Sequence, residues 1–212
     1  MVPFLRKELL NSQTGQQARA AILLKEIDIE TIRYPGMVQG LTKIAQSGLP
    51  LRKFMPILDI KLSIISACEG LVLLGKTKKV IEPIEKIALE IWGSTIIYIE
   101  AYERALRLLK TMPMPETYKI LDKAFDMEHT GVFKAGTDYT GYPLRYMKAT
   151  NEAILACGKP MIPILKRKLK NTRSLYISTP ENYDKQIVYN IKQNERAASL
   201  LKMIDVKAVI KA

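Results

Sequence analysis

Residues 79–111 read KVIEPIEKIALEIWGSTIIYIEAYERALRLLKT, and the spacing of the apolar residues in this stretch decides the fold class. Val80, Ile84, Ile87, Ile91, Thr95, Tyr98, Tyr102, Ala105 and Leu109 recur at three- and four-residue steps, the repeat of a helix that buries one side. A second row, Ile81, Ala88, Trp92, Ile99 and Leu106, widens that side. On the opposite side Glu82/Lys86, Glu100/Arg104 and Glu103/Arg107 stand four apart with the acid first, the order that supports a solvated helix face. The spacing predicts one long central helix, roughly 50 Å at about 1.5 Å per residue. Such a helix does not stand alone in water, so its apolar side must be covered by at least two others, in a bundle or partly by a neighbouring subunit.

Upstream, Phe4, Leu5, Leu9 and Leu10 give residues 3–10 an amphipathic start, followed by a polar hinge over 11–17 and the prospect of a basic N-terminal arm. A helix from about 16 to 33 stops at Tyr34-Pro35-Gly36, another over 37–47 stops at Ser47-Gly48-Leu49-Pro50, and an apolar one follows over 51–74. Downstream, Met112-Pro-Met-Pro115 ends the central helix and 116–128 reads as a further one. Gly131, Gly136 and Gly141 then punctuate a loop over 129–142, and 181–211 reads as a closing helix with Tyr183, Ile187, Ile191, Ala198 and Leu201 on one side. The fold class is all-α: a predominantly helical bundle with one long central helix and at most a small β element near 130–142 or 174–178. The loop divides it into a helical bundle with an N-terminal arm (1–130) and a basic helical C-terminal part (131–212), unless the two form one continuous domain.

A chain of 212 residues, 48% hydrophobic and 25% charged, has the composition of a folded globular protein rather than a disordered one. Charges at Arg6, Lys7 and Glu8 interrupt any secretory signal. Asp59, Lys61 and Glu69 break the most apolar stretch, Ile57 to Gly75, while Ile87 to Ile99 is short and contains Glu90, so neither reads as a membrane span. The expectation is a cytoplasmic or other intracellular protein, or a virion component if viral. Cys68 and Cys157 stand far apart and are expected to be free thiols. Twenty-five isoleucines, 23 lysines and one histidine lean toward a thermophilic source.

The net charge of +12 is unevenly placed. Residues 131–180 hold nine basic residues, Lys134, Arg145, Lys148, Lys159, Lys166, Arg167, Lys168, Lys170 and Arg173, against Asp138 and Glu152. No acid lies between Glu152 and Glu181, and such a segment attracts polyanions. Ile162, Leu165 and Leu169 fall at helical spacing, while Lys166, Lys170 and Arg173 line another side, so one face can pack and the other can present cations. Just upstream, Tyr139, Tyr142 and Tyr146 interleave with Arg145 and Lys148, an arrangement able to stack on bases or sugars. The more ordinary reading, and the favoured one, is that Tyr142 and Tyr146 are half-buried residues at a helix start.

Gly70-Leu-Val-Leu-Leu-Gly75-Lys76-Thr77 satisfies the phosphate-loop pattern. Its four apolar inner residues and the nearby Pro83 speak instead for a helix end and turn at Gly75-Lys-Thr-Lys. His129 is the only histidine, so a Ser/His/Asp site or a His-rich metal site has no residues to build it. Glu26, Asp28 and Glu30 alternate and read as solvated charges.

No catalytic residue, metal site or cofactor is therefore expected. The residues imply a basic, self-associating helical protein that holds nucleic acid, DNA ahead of RNA, by its phosphates, as a coat, nucleocapsid or nucleoid-type subunit would. The contacts would be Arg145, Lys148, Lys159, Lys166, Arg167, Lys168, Lys170 and Arg173, with Tyr142 and Tyr146 beside them. A peripheral membrane or protein-partner module is the first alternative, and a nucleotide-dependent enzyme using Lys76 and Thr77 is the second.

Overall fold

The computed structural model describes residues 1–10, 14–27, 35–47, 57–89, 96–127, 142–170 and 180–204. Ten α-helices occur among them: α1 Val2–Leu9, α2 Thr14–Ile27, α3 Met37–Ser47, α4 Ile57–Leu73, α5 Ile81–Leu89, α6 Ile96–Lys110, α7 Pro115–Met127, α8 Tyr142–Cys157, α9 Ile162–Lys170 and α10 Pro180–Ile204. Single 3-10 turns, Thr77–Lys79 and Lys159–Met161, precede α5 and α9. The class is all-α, with no strand among the described residues. The positions suggested for a β element lie outside the described residues, except Tyr142, which opens α8.

The single central helix is replaced by two. In one continuous helix Leu89 and Ile96 would stand about 10.5 Å apart at about 1.5 Å per residue, and no Cα of α5 would come close to one of α6. Instead Cα atoms of α5 and α6 approach within 8 Å, so the chain changes direction between them. The stretch between them, 90–95, lies outside the described residues; its sequence includes Gly93, Ser94 and Thr95, three consecutive residues with lower helix propensity than Ala or Leu. The apolar period continues past them because each helix separately buries one side.

That side is covered within the chain. Val80, Ile84, Ile87 and Ala88 around α5, and Ile99, Tyr102, Ala105, Leu106 and Leu109 of α6, belong to one buried cluster that runs from Leu5 to Leu201. Helices α4 and α8 pack on α6, and α7 packs on α5. These residues need no neighbouring subunit to bury them, and the side chains of Ile91, Trp92, Thr95 and Tyr98 lie outside the described residues. The division expected at 129–142 lies outside the described residues apart from Tyr142, while Tyr102 before it and Tyr146 after it meet in the same core.

Residues 2–9 belong to the bundle: Leu5 and Leu9 are buried and α1 packs on α2, while Phe4 and Leu10 are exposed. Of the expected hinge, Asn11 to Gln13 lie outside the described residues and Thr14 to Gln17 form the first turn of α2. Gln17 is buried and donates from Nε2 to the Leu9 carbonyl at 3.0 Å. Gly36 returns the chain beside α1 with φ +87°, where a Cβ would stand 2.9 Å from the same carbonyl oxygen.

The i, i+4 pairs are only partly used. Lys86 meets Glu82 at 3.1 Å. Arg104 instead forks onto Glu69 of α4, with Nε to Oε1 at 2.9 Å and Nη2 to Oε2 at 2.7 Å. Lys25 of α2 adds a bond to Glu69 at 3.0 Å and one to Ser66 at 2.8 Å, and the Ser66 hydroxyl donates to Glu26 at 2.6 Å. Glu26, expected as a solvated charge, thus helps tie α2 to α4. Asp28 and Glu30 lie outside the described residues.

On α10, Leu201 is buried as expected, but Ile191 is half exposed, and Gln193, Arg196, Ala197 and Leu200 take the inner side. Arg196 accounts for the rotation: its guanidinium lies 4.3 Å from the centre of the Phe125 ring and donates to Asn151 Oδ1 at 2.7 Å. Tyr183 and Ile187 lie outside the residues whose side chains are described.

Candidate nucleic-acid interface

Helix α9 has the two faces its sequence predicts. Leu165 is buried, Ile162 and Leu169 pack partly buried against the core, and Lys170 is exposed. Lys166 is half-buried, and Lys159 stands exposed in the preceding 3-10 turn. Lys159, Lys166 and Lys170 have no carboxylate partner among the described residues.

Arg167 and Lys168 face the other way. The Lys168 ammonium sits 2.6 Å from Asp122 Oδ1 and 2.6 Å from Asp126 Oδ2, its side chain only 10% exposed. It also lies 5.8 Å from the centre of the Phe125 ring. Arg167 pairs with Asp122 as well, although it remains half exposed. The gap in acids along 153–180 is therefore filled from α7. Lys168 cannot meet a phosphate without abandoning two carboxylates, so it is a structural cation rather than a surface contact. A signal for this was in the sequence: Asp122 and Asp126, four apart on one helix, repel each other unless a cation stands between them.

The aromatic part of the predicted site divides too. Tyr146 is 1% exposed and stacks edge-on against Tyr102, so its ring is not available to a base. Tyr142 opens α8, but its side chain, like Tyr139 and Arg173, lies outside the described residues. Arg145 forks onto Glu103 of α6 at 3.0 and 2.9 Å. Lys148, one turn on, is exposed. Arg145 and Lys148 face a groove of about 260 Å³ between α6 and α8, shared with Arg107 and Lys110, two cations that the charge count by segment did not single out.

No protein-family model, curated protein or solved structure matches this chain.

The phosphate-loop pattern takes a different form from the one its chemistry needs. Gly70 to Leu73 are the last turn of α4, so a helix, not a strand, leads into the pattern. Gly75, at φ +70°, closes that helix: its N–H donates to the Val72 carbonyl at 2.9 Å, and the Lys76 N–H donates to the Leu71 carbonyl at 2.8 Å. This paired arrangement is a Schellman cap, in which the backbone N–H groups of Gly75 and Lys76 satisfy α4 and are not available to cradle phosphates. Pro83 falls in the first turn of α5, where its missing N–H has no helical partner to lose.

Cys68 is fully buried and Cys157 half-buried, and both are free. Burial, reinforced by the neighbouring Glu69 carboxylate, pushes the Cys68 thiol up to about 12 and makes it a poor nucleophile. No helix among the described residues is long and apolar enough to cross a membrane.

Proposed function

We propose that this chain is a non-catalytic, basic helical protein that binds nucleic acid through its phosphate backbone, in the manner of a coat or nucleoid subunit. One observation carries the reading. Lys159, in the turn before α9, and Lys166 and Lys170 of α9 have no carboxylate partner among the described residues, while the other two cations of α9 anchor it to α7. A helix held by Asp122 and Asp126 can lose charge at its outer positions without losing its place. Contacts of this kind position a protein on a duplex or single strand and carry no base information. Self-association belongs to the same reading, and because the described apolar residues of α5 and α6 are buried within the chain, exposed apolar side chains such as Phe4, Leu10, Leu73 and Met203 are candidates to serve it.

The test is fluorescence anisotropy of labelled duplex and single-stranded DNA and RNA across a salt series. Binding through Lys148, Lys159, Lys166 and Lys170 gives a log–log slope of about −3.6 on duplex, about 0.9 per phosphate contact. Charge reversal at Lys166 and Lys170 flattens it. No binding at low salt would overturn the reading.

A peripheral membrane role draws on exposed Phe4 of α1 and Leu10 just after it, beside exposed Lys7, but Leu5 and Leu9 of the same amphipathic start are already buried. Liposome co-sedimentation that survives nuclease treatment would favour it.

A further inference from the structure

Helices α6 and α8 run parallel, as their ion pairs show. Arg145 meets Glu103, and seven residues further along both helices Lys110 meets Glu152 at 3.7 Å. The two pairs close the ends of the groove, about 10.5 Å apart at about 1.5 Å per residue. Between them, one turn in from each end, stand Arg107 of α6 and Lys148 of α8, both exposed and neither paired with a carboxylate among the described residues. Leu106 and Ala149 make the floor, and Ala149 leaves the space open because its methyl group is too small to fill it. Among the described residues Glu103 and Glu152 are the only acids in the lining, and both are engaged at the ends.

We propose that the groove between α6 and α8 is a phosphate-binding site, with Arg107 and Lys148 gripping one phosphate group between them. Two like charges facing each other over an apolar floor repel in the empty groove, and a dianion set between them removes that repulsion while forming charge-assisted hydrogen bonds to both. Arg107 supplies a planar fork and Lys148 a mobile point charge. Arg145 and Lys110 stand behind as a second rank, each held by a carboxylate that an anion would compete with. At about 260 Å³ the groove is smaller than the roughly 300–1,000 Å³ of sites for whole small molecules. Its size fits a phosphate group and what is directly attached to it. The inference rests on the nucleic-acid reading only for the source of that phosphate, a strand rather than a free phosphate compound.

The experiment measures inorganic pyrophosphate binding by isothermal titration calorimetry and oligonucleotide binding by anisotropy, on the same four variants of the full chain. Arg107→Gln with Lys148→Gln should weaken pyrophosphate at least about tenfold, the loss expected from removing charged hydrogen bonds. Both side chains are exposed, so folding is not at stake, and circular dichroism confirms it. Lys166→Gln with Lys170→Gln should leave pyrophosphate binding unchanged. Glu152→Gln frees Lys110 and should tighten binding about threefold, the scale of an exposed ion pair, whereas Glu195→Gln, an equal change of net charge on α10, should not.

Equal losses in the two double variants, or no pyrophosphate binding by the parent protein, would overturn the site while leaving the nucleic-acid reading to its own salt series. Pyrophosphate held in the groove by a protein that binds no oligonucleotide would keep the site, assign it to free phosphate compounds and end the nucleic-acid reading.

Discussion

The ring of Tyr146 meets the ring of Tyr102 edge-on, with centroids 4.8 Å apart and planes at 72°. Thr150 lies between their helices: its hydroxyl donates to the Tyr146 carbonyl at 3.0 Å, which leaves the Tyr102 hydroxyl, 2.6 Å away, to donate to Thr150. This buried chain joins α6 to α8 and holds the parallel register that sets Arg145 opposite Glu103. A residue read from sequence as a surface for bases thus acts from the core, as part of the contact between α6 and α8.

Replacing Tyr146 by Leu should therefore cost stability and not recognition. Loss of the aromatic pair and of ring volume is expected to lower the unfolding free energy by about 2–4 kcal/mol. Oligonucleotide affinity, measured where the variant is still folded, should stay within twofold. A selective loss of single-strand binding with unchanged urea stability would return Tyr146 to the interface.

Lys166 and Lys168, two positions apart, should behave oppositely. Lys166→Met removes one phosphate contact and should reduce the duplex salt slope by about 0.9 with little effect on melting. Lys168→Met leaves Asp122 and Asp126 facing each other at the α7–α9 contact. About 2–3 kcal/mol should be lost, somewhat below the roughly 3–5 kcal/mol for a fully buried pair because both aspartates keep some solvent contact. Matching effects of the two substitutions on either measurement would contradict the division of α9 into an anchoring and a presenting side.

Periodicity made the helices legible because burial of an apolar side is a local property of spacing: α3 runs over Met37–Ser47 and α7 over Pro115–Met127, close to the stretches their spacing and stop signals mark out. It did not separate α5 from α6, since two amphipathic helices in succession keep the same period, and only the low helix propensity of Gly93-Ser94-Thr95 speaks in the sequence against one continuous helix. Charge in the candidate site was legible as an amount and not as an allocation. The cations of 145–173 are counted correctly, but their partners, Glu103, Asp122 and Asp126, arrive from helices more than forty residues away. For the same reason Arg107, assigned by spacing to an ordinary wet face, and Lys110, not singled out at all, gain a role only when α8 is laid beside α6.

The Glu69 cluster should make stability depend on acid. Burial raises the Glu69 carboxyl, but hydrogen bonds from Arg104 and Lys25 outweigh it and hold the group below its ordinary 4.5. Glu26 is lowered as well, chiefly by Ser66 and then by Lys25. Because the unfolded chain takes up these protons at higher pH than the fold does, the stabilisation is complete above about pH 5–6 and drains away as pH falls through 4.5 toward the folded values. Glu69→Gln should cost about 2 kcal/mol at pH 7, below the figure for a fully buried pair because the side chain is 27% exposed. The gap to the parent protein should narrow by pH 4. Urea is the denaturant to use, since guanidinium salt would screen the charges being tested. A gap independent of pH would mean that the cluster contributes packing alone.

Gly75 separates the two meanings of the Gly70–Thr77 pattern. At φ +70° it adopts a backbone conformation costly for other residues, yet no atom lies within 4 Å of where its Cβ would be. Gly75→Ala should therefore cost about 1–2 kcal/mol through the backbone alone. The two capping hydrogen bonds, from Gly75 N–H to Val72 and from Lys76 N–H to Leu71, belong to α4, so the loss should appear as stability whether or not any nucleotide is present. Mg-ATP should leave the melting temperature of the parent protein unchanged, and Lys76→Ala with Thr77→Ala should melt as the parent does, since both act outside the core. A rise in melting temperature with Mg-ATP that disappears in the Lys76/Thr77 variant would show that the turn opens to hold phosphate, at the expense of the α4 cap.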